Sequence, residues 1–171
     1  IANINGVKSH KVITNSINAL VSMTHRGGVG SDGKTGDGCG LLFDIDHKFF
    51  SDSVLKEKNI DIGEHFAISQ IFYNQDISNL LPKIKKILKS ENLVLAAYRK
   101  VPVNEKILGE IAYSCVPNIF QLFIKPTEKD FNQDVFETGL IQARKYLEEI
   151  YMDDEKLYIC SMSSKTIVYK G

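Results

Sequence analysis

The sequence carries no charge excess. Its 21 Lys and Arg residues are matched by 21 Asp and Glu. A neutral chain has no general electrostatic reason to seek nucleic acid or an anionic membrane surface, so neither is expected as a partner. No apolar run is long enough to cross a bilayer. The opening residues, IANINGVKSH, lack the apolar stretch of a signal peptide. Cysteine is scarce: Cys39, Cys115 and Cys160 are odd in number, far apart and never in a C-x-x-C pair. That spacing argues against a disulfide framework and against a zinc site, and no metal site is expected. Reduced thiols fit an intracellular compartment. The expected location is cytoplasmic, or plastid for a eukaryotic protein. Repeats, low-complexity tracts and linkers are also missing.

What is present suits one domain with a sizeable core. There are 171 residues, 43% hydrophobic and 25% charged, the composition of a globular chain. Ser9 caps a predicted helix from His10 to about Met23, with Val12, Ile13, Ile17, Leu20 and Val21 near helical spacing. Ile1–Ile4 reads as a strand followed by the turn dipeptide Asn5-Gly6. Strands are predicted over Leu41–Ile45, His65–Tyr73, Leu93–Arg99 (of the fully buried kind) and Ile119–Lys125. Ile77, Leu80, Leu81, Ile84, Ile87 and Leu88 make one helical stripe opposite a solvated face of Lys83, Lys85, Lys86 and Lys89. Pro82 should then fall in that helix's first turn, or start it. Asn104 is expected to cap a short helix to about Tyr113. Asn132–Tyr151 reads as a long helix with Phe136, Leu140, Ala143, Leu147 and Ile150 facing in. Leu157–Met162 and Thr166–Tyr169 are expected to form a hairpin. The order is that of an α+β chain with βαβ-like segments in the middle.

Between Gly27 and Gly40 lie seven of the twelve glycines. Gly28–Thr35 (GVGSDGKT) satisfies the phosphate-loop pattern G-x-x-x-x-G-K-[ST]. A working phosphate loop runs from a strand into a helix, whose N-terminus cradles the phosphates. Here a helix precedes the motif, and Gly36-Asp37-Gly38-Cys39-Gly40 follows it. Each glycine costs a helix about 1 kcal/mol against Ala, so no helix starts there. The match is read as chance, and a nucleotide binder is kept only as an outside alternative. The glycine density still marks tight turns or close backbone approach.

Thr24-His25-Arg26-Gly27, followed by Thr35-Gly36-Asp37-Gly38-Cys39-Gly40, resembles the start of the glutaminase domain of glutamate synthases, which are class II glutamine amidotransferases. That family reads roughly THRGA, a spacer, then TGDGAG. The resemblance runs through Ile1–His10, His47–Phe50, Val101–Asn104, Ala143-Arg144, Tyr158–Ser161, Ser163-Ser164 and Thr166–Gly171, in the family's order. Cys39 stands where the family usually has Ala, and Lys165 where it usually has Arg. His65–Ser69 stands where the family tends to be richer in glycine.

The resemblance implies an α+β, N-terminal-nucleophile hydrolase sandwich, with two antiparallel sheets between helical layers, incomplete in this chain. It implies that residues 1–171 are the N-terminal portion of the amidotransferase domain. The family's nucleophilic cysteine, in the pattern Cys-Gly-Val-Gly-Phe, lies directly before the segment matching Ile1-Ala2. The glutamine-binding arginine and the Asn-Gly oxyanion element are expected beyond Gly171. In the family, the thiol attacks the glutamine side-chain amide and the chain's own amino group serves as base. Ammonia then passes to 2-oxoglutarate. FMN and an iron–sulfur cluster supply electrons in the parent enzyme, with none expected in this chain. The implied partners are glutamine, the rest of the same polypeptide, and a small subunit or ferredoxin.

The resemblance assigns Arg26 to organising the surroundings of the nucleophile, and Gly27 to close backbone approach. A surface ion-pair role for Arg26 and a helix-capping role for Gly27 are the plainer readings of the same residues. Asp37 is read as a turn former, Cys39 as a small buried residue, Cys160 as core and His25 as a satisfied structural histidine. A module of the same family that lacks the nucleophile and serves assembly or regulation remains the main alternative.

Overall fold

A computed structural model describes residues 3–151 and 156–170. The chain divides into two compact units, one of residues 1–41, 104–116 and 170–171, the other of residues 42–103 and 117–169. The chain as a whole is of the mixed α+β class expected from the sequence.

The second unit holds the core. Its main sheet has strand order β3 (Leu93–Lys100), β4 (Ile119–Pro126), β2 (Ala67–Tyr73), β5 (Leu157–Ser163), with every neighbouring pair antiparallel. β2 and β3 both run against β4, so they are parallel with β4 between them. β4 and β5 flank β2 in the same way. The crossovers are α3 (Ile77–Ser90) and α5 (Gln133–Ile150). The βαβ order seen in the sequence is therefore two interleaved split βαβ units.

β2 and β4 are central; β2 is buried along nearly its whole length and β4 over Phe120–Ile124. On one face Ala67, Ile71, Leu122 and Ile124 pack with Leu80, Ile84 and Leu88 of α3 and Phe136, Leu140 and Leu147 of α5. On the other face Ile68, Ala97 and Phe123 pack with Phe50 and Val54 of α2 (His47–Lys58) and with Ile167 of β6 (Thr166–Lys170). β6 pairs with β1 (Gly40–Asp44) in a second, two-stranded sheet. The Ile45 amide, just past β1, donates to the Lys165 carbonyl, just before β6, at 2.9 Å, which makes the pair antiparallel. Side-chain oxygens start the helices: Asp46 caps α2, Asp76 caps α3 and Asn132 caps α5. Each satisfies first-turn amides that would otherwise lack a partner.

A buried polar row crosses the main sheet. Arg99, Gln121, Gln70 and Ser161 stand in register on β3, β4, β2 and β5, and all four are buried. Arg99 Nε donates to Gln121 Oε1 at 2.9 Å, Gln121 Nε2 to the Tyr169 hydroxyl at 3.0 Å, and Arg99 reaches Glu57 at 2.6 Å. Gln70 Oε1 has no partner among the described residues.

Several local expectations are corrected. Pro82 sits inside α3 rather than in its first turn. The bond it cannot make is to the carbonyl of Ser78, which lies at a solvent-exposed position. β3 alternates buried and exposed residues, because it is an edge strand with Val94 and Tyr98 turned to solvent. Ile150 is 55% exposed, since the inward stripe of α5 passes from Leu147 to Tyr151, one full turn on. β5 and β6 are not a hairpin. The turn between them carries the chain from one sheet to the other, and Glu137 of α5 holds that turn by accepting from the Ser164 amide at 2.8 Å and from the Ser163 and Ser164 hydroxyls.

In the first unit, α1 (His10–Ser22) begins where Ser9 caps it, as expected, yet none of its residues is buried. The opening strand falls partly outside the described residues. Ile4 lies in a turn closed by the Gly6 amide on the Asn3 carbonyl at 3.0 Å. The single helix expected after Asn104 is two pieces, a 3-10 turn at Glu105–Ile107 and α4 (Glu110–Ser114), broken at Leu108 and Gly109.

Candidate functional site

The glycine-rich loop and the residues leading into it form the candidate site, all within the first unit. A 3-10 turn, Thr24–Arg26, follows α1. The Arg26 amide donates to the Met23 carbonyl at 2.8 Å and the Gly27 amide to the Thr24 carbonyl at 3.1 Å. The Arg26 side chain is exposed and enters none of the ion pairs among the described residues. His25 Nδ1 donates to the Ser22 carbonyl at 3.1 Å, a local structural role as expected.

Gly27 and Gly28 differ in what demands them. Gly27 has an extended backbone, φ −94° and ψ 150°, so it is not a left-handed helix cap. A side chain there would meet only the Thr24 carbonyl at an ordinary 3.6 Å. Nothing else among the described residues crowds the position. A Cβ on Gly28 would stand 2.8 Å from the carboxylate of Asp37. That carboxylate accepts the Gly28 amide at 2.6 Å. Asp37, expected to form a local turn, instead closes the loop across nine residues.

Above this closure the loop is a small ladder. Val29 and Gly36 form an antiparallel bridge. The Gly30 amide donates to the Thr35 carbonyl at 2.6 Å and the Gly33 amide to the Gly30 carbonyl at 3.0 Å. At the tip, Asp32 accepts from the Lys34 and Thr35 amides at 3.0 and 2.8 Å and from the Thr35 hydroxyl at 2.5 Å. The same two side chains reach α4. The Ile111 amide donates to Asp32 at 3.1 Å and the Ala112 amide to the Thr35 hydroxyl at 3.2 Å. These bonds, led by the Thr35 hydroxyl and amide, hold the Asp32 carboxyl well below the usual carboxylate range.

This geometry disposes of the phosphate loop. A helix and a 3-10 turn precede the motif, β1 follows it, and the threonine hydroxyl that would bind a metal–phosphate group caps α4 instead. Sequence reading missed Asp32, Thr35 and Gly109 as a set. A signal existed in Gly109, which stands at the N-cap of α4 with no side chain to cap it, so the cap had to come from elsewhere. Cys39 lies in this loop, whereas Cys160 and an open cavity belong to the second unit. Cys39 is exposed rather than buried, Cys115 is exposed, and Cys160 is half-buried. The cavity, of about 620 Å³, is lined by residues including His47, Glu64, His65 and Lys165. Among the described residues, no group of three or more His, Cys, Asp or Glu side chains converges to hold a metal, and no helix is long and apolar enough to cross a membrane.

The family model for class-II glutamine amidotransferases matches residues 1–171. The chain belongs to the class-II glutamine amidotransferases. The two antiparallel sheets with their helices agree with the N-terminal-nucleophile hydrolase fold of that family. The chain is 37% identical over 184 residues to glutamate synthase [NADH] of Saccharomyces cerevisiae, covering 100% of this chain and 8% of the relative. It is 36% identical over 178 residues to ferredoxin-dependent glutamate synthase 1, chloroplastic/mitochondrial, of Arabidopsis thaliana, covering 100% of this chain and 11% of the relative. It is 32% identical over 174 residues to the glutamate synthase [NADPH] large chain of Bacillus subtilis, covering 99% and 11%. This amidotransferase chain thus spans only a small part of the length of the curated relatives it matches.

Proposed function

We propose that this chain is the N-terminal portion of the glutaminase domain of a glutamate synthase, and that Arg26 and Gly27 serve its thiol chemistry. The observation that supports the reading best is the amidotransferase match over residues 1–171, together with the three relatives above, each a glutamate synthase by name. In this reading a cysteine just upstream of Ile1 attacks the side-chain amide of glutamine. A thioester forms, ammonia leaves, and water releases glutamate. The amino group of that cysteine has an ordinary pKa near 8, suited to moving the proton at neutral pH.

Arg26 lies where its guanidinium is not committed to another described side chain. It organises the charge around the nucleophile, and lysine would not reproduce its planar fork. Gly27 lies where nothing among the described residues requires glycine, so its role is to leave room for an approaching group. Neither residue is the nucleophile, and the 171-residue chain alone releases no ammonia. FMN and an iron–sulfur cluster belong to the parent enzyme. The dispersed Cys39, Cys115 and Cys160 do not form a cluster site, so no step on this chain runs through them. The electron donor, whether a nicotinamide cofactor or ferredoxin, and any small subunit act on the rest of the polypeptide. The ammonia meets 2-oxoglutarate there, in a cytoplasmic or plastid setting.

The test is glutamine hydrolysis by the complete polypeptide. Arg26→Ala should lower kcat/KM by roughly a hundredfold or more, while thermal stability stays near wild type. Unchanged hydrolysis in that variant contradicts the assignment of Arg26.

A further inference from the structure

We infer that Asp32 is a positioning residue for this chemistry: its clasp on α4, built with Thr35, fixes the loop that carries Arg26 and Gly27. The inference rests on the glutaminase reading above. It deepens that reading by naming a residue that acts without touching substrate.

The need for a clasp follows from composition. A loop this rich in glycine has more conformational freedom to lose than any other sequence. It has no buried side chain to hold it. What holds it is two sets of hydrogen bonds, one at each end. At the base, Asp37 binds the Gly28 amide, one residue from Gly27. At the tip, Asp32 and Thr35 bind the Ile111 and Ala112 amides, 79 and 77 residues away in the chain. Thr35 joins the two levels, because its carbonyl accepts the Gly30 amide while its hydroxyl accepts the Ala112 amide. A continuous run of bonds therefore leads from α4 to the backbone beside Arg26.

The fit is mutual. α4 starts at Gly109, so its first amides have no cap of their own. The loop supplies it, with a negative oxygen at a helix start. A Cβ on Gly109 would collide with the Asp32 carboxylate and the Thr35 hydroxyl, and would stand 2.8 Å from the Thr35 amide. Each side of the contact is thus shaped for the other. Asp32 stays ionised throughout the neutral range, because the Thr35 hydroxyl and amide bonds favour the charged form. It acts as a fixed clasp and not as an acid or base.

The experiment uses the complete polypeptide and measures glutamine hydrolysis across pH for Asp32→Ala, Asp32→Asn, Gly109→Ala and the double variant Asp32→Ala with Gly109→Ala. Asp32→Ala and Gly109→Ala attack the clasp from opposite sides. Each should lower kcat/KM roughly tenfold to a hundredfold, the loss expected of a misplaced catalytic frame. The pKa values of the pH–rate profile should stay unchanged. The double variant should be no worse than the poorer single one, since both remove the same contact. Asp32→Asn, which keeps an acceptor oxygen and caps helices about as well, should recover part of the rate. Additive losses, an altered pH profile, or a fall in thermal stability with unchanged rate per folded molecule would each overturn the clasp. So would wild-type rates in the single variants of an active enzyme, which leave the glutaminase reading standing. A wild-type polypeptide that hydrolyses no glutamine overturns both.

Discussion

α1 and α3 are nearly the same length, 13 and 14 residues, and both carry apolar residues at helical spacing. α3 buries Ile77, Leu80, Ile84 and Leu88, whereas α1 buries nothing. The contrast extends to the two units that contain them. In the second unit, order comes from apolar area removed from water on both faces of a four-stranded sheet. In the glycine-rich loop of the first, order comes from the oxygens of Asp32, Thr35 and Asp37 holding backbone amides. Burial is strong and insensitive to the exact partner. A hydrogen-bonded loop is weaker and depends on single atoms. Substitutions in the two places should therefore fail differently, the first through stability and the second through rate.

The largest stability effect should come from the core. Leu122→Ala, at a fully buried position on central β4, should cost about 2–5 kcal/mol in urea unfolding of the complete polypeptide. A cost below about 1 kcal/mol would mean that this sheet is not the main source of order. Gln121→Ala should come next. It leaves Arg99 Nε and the Tyr169 hydroxyl without their partner, and unmet buried groups cost about 1–3 kcal/mol. Asn132→Ala removes the cap of α5, where its oxygen accepts from Asp134 and Val135. That loss should be about 1 kcal/mol, read as a lower midpoint with an unchanged slope.

A smaller effect should appear only in acid. The Ser78 bonds lower the pKa of the exposed Asp76. Its folded pKa lies below the unfolded one of about 3.9, so its stabilisation is present above that pH and is lost as pH falls through the folded value. Asp76→Asn should therefore flatten the acid limb of the stability curve and leave neutral stability almost unchanged. Lys48→Met should do least. Its bond to Asp52 is short, 2.9 Å, but both side chains are mostly in solvent, where such pairs contribute little.

Much of the second unit was legible because periodicity reports burial directly. The spacing of Ile77, Leu80, Ile84 and Leu88 gave α3, and that of Phe136, Leu140, Ala143 and Leu147 gave α5. What periodicity cannot report is the partner. Nothing in the sequence of β5 and β6 shows that the Ser163–Lys165 turn leads into a different sheet and not back along the same one. The same limit hides α1, whose stripe is visible but whose lack of burial is not. In the candidate site, Arg26 and Gly27 were singled out only through family motifs, because their backbone bonds to Met23 and Thr24 are those of any tight turn. Asp32, Thr35 and Gly109 were harder still. Their link spans nearly eighty residues, and its one local trace is a short helix whose N-cap is glycine.

The central claim is that Arg26 and Gly27 stand beside a cysteine nucleophile of glutamine chemistry. Mass spectrometry of the complete polypeptide, treated with a glutamine-like alkylating agent and cleaved after lysine, tests it most directly. The account predicts a labelled peptide that begins with an unblocked cysteine and reads on into IANINGVK, ending at Lys8. A peptide with any other residue at that start, taking no label, would contradict it, and the chain would then be a non-catalytic member of its family.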